Sequence, residues 1–352
     1  MDKIQPEQRI FIYKQVFSET SLPKKIIDDY MKASAKTQQE AKVFKTTIYP
    51  KKSVPYHEIN FKNLDRLELP VDIYNRSLLY TTFLGAQTLQ TARDLLYRVK
   101  LLPMNAEFNL VHDRDILETQ FLASNYVQQH SMLLADIDRT FSSLWLFQAG
   151  QLLFHPLNNV VCAAILHNNF YVQGLSLLTA VLLLSADTEE QALALVLHYC
   201  GSRVFRDFQS FAEQTIKTYS ICIFKAVIRL FEDQGEPLHV IQERLSQSVY
   251  HLVDCALSGL IFTGFAKKGI KFSLRILDVV MASTNLDQTL LEVLIAYAYE
   301  SSCEILENGD EGVVQMMKQG GGDPARIIQT AKRIKGKFTA EINNLFVLLE
   351  MV

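Results

Sequence analysis

Glycine is missing from the first 84 residues of this chain; Gly85 is the first. Six of the nine prolines (Pro6, Pro23, Pro50, Pro55, Pro70, Pro103) fall within the first 103 residues. Proline without glycine excludes a flexible glycine-rich leader and predicts helical pieces joined by stiff connectors, such as the KKSV between Pro50 and Pro55. Cysteines number only five, at positions 162, 200, 222, 255 and 303, with no C-x-x-C pair. That spacing excludes a disulfide framework and fits reduced thiols in a cytosolic protein. Long apolar runs are also lacking. Residues 174–186 form the most apolar stretch, short of the roughly 18–20 residues needed to cross a bilayer, so no transmembrane segment is expected and a buried helix is. The opening MDKIQPEQRIF has no basic region leading into an apolar core, so no secretory signal is expected.

Whole classes of chemistry are absent too. Eight histidines include no H-E-x-x-H or comparable metal spacing, and His112-Asp-Arg-Asp115 reads as a helix entry rather than a ligand set. Gly320–Gly322 has no Gly-Lys-Ser/Thr after it, which makes it a linker and not a phosphate loop. No Gly-x-Ser-x-Gly surrounds a serine. Lysines are dispersed over an acidic body, which argues against a nucleic-acid surface.

What remains is a globular composition, 49% hydrophobic and 21% charged. Net charge is −3, but unevenly laid out: residues 1–66 hold 13 Lys and Arg against 8 Asp and Glu. This basic stretch is predicted to be a helical extension, either an ordinary solvated surface or one suited to peripheral contact with acidic lipid or a partner. The boundary is placed near residue 66.

Beyond it the periodicity is helical throughout. Asp187-Thr-Glu-Glu190 has the form of a capping box, followed by Ala192, Leu195, Val196 and Tyr199 on one helix face. Asp323-Pro324 supplies an N-cap and a first-turn proline for a stripe of Ile327, Ile328, Ala331 and Ile334. Gly336 then ends that helix, and Thr339 is expected to cap a last one carrying Ile342, Leu345, Phe346 and Leu349. The expected fold class is all-α, with no internal repeat.

Two short stretches carry the chemistry. Residues 133–141 read LLADIDRTF, with Asp136 three residues before Arg139; residues 171–174 read YVQG, with Gln173 beside Gly174. Arg139 and Gln173 lie 34 residues apart. A guanidinium is planar, permanently charged and able to grip phosphate oxygens as a fork. A glutamine amide both donates and accepts, which suits it to holding a water against a phosphate. Alone, either residue reads as ordinary surface; together they are what completes a GTP-hydrolysing site.

The pair resembles the I-x-x-D-x-x-R and Y-x-Q motifs of the TBC domain, a family of GTPase-activating proteins for Rab GTPases. Further phrases follow in the family's order. Arg76-Ser-Leu-Leu-Tyr80 stands where the family has R-x-x-x-W, and GLSLLTAVLLL from Gly174 is similar to the run after its glutamine. Phe272-Ser-Leu-Arg275-Ile-Leu-Asp278 looks like its A-L-R-I-W-D phrase. Departures are Tyr80 for tryptophan, Leu133 for isoleucine, Leu175 for methionine and Leu277 for tryptophan, all in packing positions.

The resemblance implies a two-lobed helical domain over residues 67–305, the helical extension before it, and C-terminal helices over 306–352 packed on the second lobe. It implies Arg139 and Gln173 as catalytic fingers acting in trans, with Asp136, Arg76 and Tyr171 in support. Asp136 and Arg76 would orient each other, and Tyr171 would help bind the GTPase. The partner would be a Rab-family GTPase, which brings GTP and Mg²⁺; no cofactor or metal of the chain's own is implied, and it would not itself hydrolyse GTP. The setting would be cytoplasmic, with recruitment to endomembranes in vesicle trafficking. The alternative is a catalytically silent scaffold that binds a Rab or a multiprotein complex; loss of the arginine or glutamine is the usual sign of one, and both are kept here.

Overall fold

The computed structural model describes residues 76, 79–82, 84–101, 132–133, 135–142, 147, 153–168, 170–186, 188–210, 212–235, 257–308 and 323–350. The basic stretch 1–66 and its boundary, His112–Asp115 and Gly320–Gly322 lie outside them. Every regular element among the described residues is helical, so the chain is all-α. None of these helices is long and apolar enough to cross a membrane. The chain divides into two compact units between His198 and Tyr199.

In the first unit, α1 (Ala86–Leu101) packs on α2 (Phe154–Asn168), and α2 on α3 (Leu175–Ser185). Helix α1 is amphipathic: Ala92, Leu96 and Val99 are buried while Gln87, Gln90, Arg93 and Asp94 face solvent. Helices α2 and α3 are apolar nearly all round, which only a core position accommodates. Leu178, Ala180, Val181, Leu182 and Leu183 are fully buried, each leucine contributing about 1.5–3 kcal/mol by leaving water. The apolar run at 174–186 is thus the central helix of this unit. The next helix, α4 (Glu189–Cys200), buries Ala192, Leu195, Val196 and Tyr199 completely. Thr188 Oγ1 accepts from the Gln191 N–H at 3.1 Å, as a threonine at the N-cap does; Asp187, the expected cap, lies outside the described residues.

The second unit contains α5 (Arg203–Gln209), α6 (Glu213–Glu232), α7 (Ser258–Phe262), α8 (Ile270–Val280), α9 (Leu286–Asn308), α10 (Pro324–Ile334) and α11 (Thr339–Glu350). Helix α9 packs against α5, α6, α8, α10 and α11. The start of α10 follows its sequence pattern, since Asp323 accepts from the Ala325 N–H and Pro324 stands in the first turn. Ile327, Ile328, Ala331 and Ile334 are buried. Thr339 does something other than cap α11. Its hydroxyl donates to Gly336 O and accepts from Gln288 Nε2 of α9, tying the α10–α11 turn to the long helix.

Glu292 completes that tie. Buried on α9, it accepts from the Gly336 N–H at 2.8 Å and from Gln288 Nε2 at 2.9 Å. Gly336 has φ +74, a left-handed conformation that leaves its N–H aimed at the carboxylate. Outside this turn, Arg203 donates to Phe346 O at 2.7 Å and stacks over the Phe346 ring, and Arg229 pairs with Glu341 at 2.5 Å. Two thiols are held protonated at neutral pH: burial pushes Cys200 upward, and burial followed by the Glu341 charge pushes Cys222 up to about 11. Glu292→Leu is expected to destabilise the second unit by about 1–3 kcal/mol, because it removes the two hydrogen bonds that the Gly336 N–H and the Gln288 amide make to the carboxylate. Urea denaturation checks this, and an unchanged midpoint would refute it.

Candidate functional site

The arginine-bearing stretch is a short helical segment anchored from below. Leu133 and Ile137, four residues apart, are buried, which turns Ala135, Asp138 and Arg139 outward. Thr140 closes the segment, its N–H bonding to Ile137 O at 3.0 Å. Phe141 then takes φ +45, uncommon for a residue with a side chain, and its ring lies 6.0 Å from that of buried Phe147. The segment therefore ends abruptly beside the arginine.

Arg139 is held back on its own turn. Its Nε donates to Ala135 O at 2.9 Å and its Nη2 to Asp136 Oδ1 at 2.5 Å. The arginine side chain is 70% exposed and that of Asp136 13%. Ion pairs with so exposed a partner contribute only about 0–1 kcal/mol, so the arginine leaves at little cost.

Asp136 keeps a second partner. Tyr171 donates its phenolic proton to Asp136 Oδ2 in a very short hydrogen bond. Burial, then the bond and charge of Asp136, hold the phenol far above its usual ionisation range, while a bond from Ser176 and the charge of Arg139 draw it back. Tyr171 is therefore a protonated donor at neutral pH.

Gln173 sits at the tip of a tight turn. The Leu175 N–H reaches Val172 O at 3.0 Å, and Gly174 between them has φ 105 and ψ −10. Those angles are what the third position of a type II turn demands, and glycine meets them without strain. Val172 and Gly174 are buried, Gln173 is exposed, and α3 begins at the next residue.

The two stretches meet. Besides Tyr171 on Asp136, the Thr140 hydroxyl lies 2.7 Å from Ser176 Oγ in the first turn of α3 and donates to Asp136 O at 2.6 Å. The structure thus joins the segments carrying Arg139, Asp136, Tyr171 and Gln173. Arg76 is buried to 2% on a helical residue. A guanidinium so deeply placed requires acceptors around it.

Tyr171, expected to pack at this surface, is half-buried with its hydroxyl engaged on Asp136. Thr140 and Ser176 stood in the sequence only as parts of the LLADIDRTF and GLSLLTAVLLL phrases, with no role of their own; with other hydroxyls nearby (Ser142, Ser143, Thr179), nothing singled them out. The four departures named above, Tyr80, Leu133, Leu175 and Leu277, are all at most 1% exposed, so they are core substitutions that leave the polar groups untouched.

Tyr171 has a consequence for alkaline stability. Unfolded, it ionises near 10; folded, it stays protonated to higher pH. Its contribution is fully present below pH 10 and is lost as pH rises from there toward the folded value. Tyr171→Phe is expected to show a shallower loss of stability than the wild type between pH 10 and 11, measured by denaturant titration. Parallel curves would contradict this.

Compared with known families, the model described as the Rab-GTPase-TBC domain matches residues 76–306, more than half of the chain. No curated protein matches it.

Proposed function

The chain belongs to the Rab-GTPase-TBC domain family, and from that premise we propose that it accelerates GTP hydrolysis on a Rab-family GTPase by lending it Arg139 and Gln173. Membership supports activation of Rab GTPases as the general type of function. One observation carries the finer reading. An exposed, lightly held arginine and an exposed turn glutamine stand on segments tied together by Tyr171–Asp136 and Thr140–Ser176.

In this reading GTP, Mg²⁺ and the phosphate-binding loop belong to the partner. As the surfaces close, the Arg139 guanidinium exchanges Asp136 for the oxygens of the transferring phosphoryl group and neutralises charge that grows there. Asp136 is not stranded by the exchange, because Tyr171 continues to donate to it. The Gln173 amide accepts from the attacking water and donates toward the phosphate, aligning the nucleophile. Arg76, itself buried, acts as a structural support for Asp136. Residues 1–66, basic in sequence, serve recruitment to acidic endomembranes and bring the fingers to a membrane-bound partner.

Arg139→Ala and Arg139→Lys are expected to remove most of the stimulation of GTP hydrolysis across a Rab panel without lowering the melting temperature. A finger is worth about 10³–10⁵ in rate. Stimulation within about threefold of wild type would eliminate the finger. Retained Rab binding with no stimulation by the wild type would identify a silent scaffold instead.

Gln173→Ala should likewise be inactive, while the wild type still acts on a Rab whose own switch glutamine has been replaced. An absolute need for the partner's glutamine would mean that Gln173 does not align the water.

A further inference from the structure

The hydroxyls behind the two fingers tie their segments at two points. Thr140 and Ser176 lie 2.7 Å apart, and Tyr171 donates to the Asp136 carboxylate. Thr140 also donates to the carbonyl of the same Asp136, which leaves the Ser176 proton for the Thr140 oxygen. The two ties cross from 136–140 to 171–176 side by side. Thr140 and Ser176 are each only 2% exposed, so neither touches a docked partner.

We infer that Ser176 and Thr140 are positioning residues: their hydroxyls fix the distance between the arginine turn and the glutamine turn. This rests on the reading of Arg139 and Gln173 as fingers. The physical case is one of geometry. Each finger sits on a surface turn, and a turn held only by its own backbone moves. Arg139 stands next to Thr140, and Gln173 stands three residues before Ser176. Locking 140 to 176 therefore acts on both fingers at once, at the point where each leaves the backbone. Ser176 lies on α3, whose apolar flanks are fixed in the core. The rigid helix supplies the reference, and the Thr140–Ser176 contact carries it to the arginine segment. Misplacement of a catalytic group by about 1 Å costs on the order of 10²-fold in rate.

The test uses the full chain with a Rab it stimulates. Ser176→Ala and Thr140→Val are each expected to lower kcat of stimulated hydrolysis at least about tenfold, with KM for the GTPase changed by less than about twofold. Thr140→Ser, which keeps the hydroxyl, is expected to stay near wild type; a role in packing alone would be served as well by valine. Placed in an Arg139→Ala background, Ser176→Ala should add little further loss. Hydrogen exchange gives an activity-independent readout: Ser176→Ala is expected to speed exchange of residues 135–142 as well as 171–176, leaving α6 unchanged. Values of kcat within about twofold of wild type for both variants would overturn the inference. So would Ser176→Ala exchange confined to 171–176. If the wild type stimulates no GTPase, the finger reading falls and hydrogen exchange alone decides the tie. If Ser176→Ala does not fold, Thr140→Val and Thr140→Ser read it from the other side.

Discussion

One carboxylate, Asp136, is asked to satisfy two side chains from distant parts of the sequence, and the arrangement around the motifs depends on it. Arg139 takes one oxygen and Tyr171 the other. The two bonds differ in kind. The arginine pair is exposed and weak, while the phenol bond is short and largely shielded from water. Such asymmetry lets one partner leave while the other stays. A carboxylate held by the arginine alone would be left without a donor once the arginine moved.

Among the described residues several polar contacts sit at joints. The first unit is assembled by apolar faces, with α3 buried from almost every side. Its Thr140–Ser176 contact lies where the arginine segment ends and α3 begins. The second unit follows the same habit: Glu292, Gln288 and Thr339 meet at the turn between α10 and α11, and Asp287 accepts from the Val204 N–H at the start of α5. Buried polar groups of this type cost free energy unless each finds a partner, so their placement at chain reversals is economical.

Much of this was legible in the sequence, for a physical reason. Apolar periodicity reports burial directly, so the all-α class, α3 as a core helix and the buried faces of α4 and α10 could be read from residue spacing. The arginine and glutamine were legible because they break that periodicity in recognisable company. Local hydroxyl chemistry was not. Thr188 accepting from Gln191, and Thr339 turned back to Gly336, were not in the pattern because several nearby side chains compete for the same backbone groups. Only the completed packing settles which one wins. The Thr140–Ser176 contact spans 36 residues, and nothing in the periodicity of either stretch points toward the other.

The lightly held arginine also sets a clock. An exposed side chain changes rotamer in picoseconds to nanoseconds, whereas docking of two folded surfaces and the hydrolysis that follows are slower by orders of magnitude. A guanidinium 70% exposed on its own turn has therefore sampled its reach many times before any partner settles. In the proposed role of Arg139 as a finger, its departure from Asp136 is then an equilibrium established before docking, and the tempo of the encounter is set by the approach of the surfaces and by the bond that breaks in the partner.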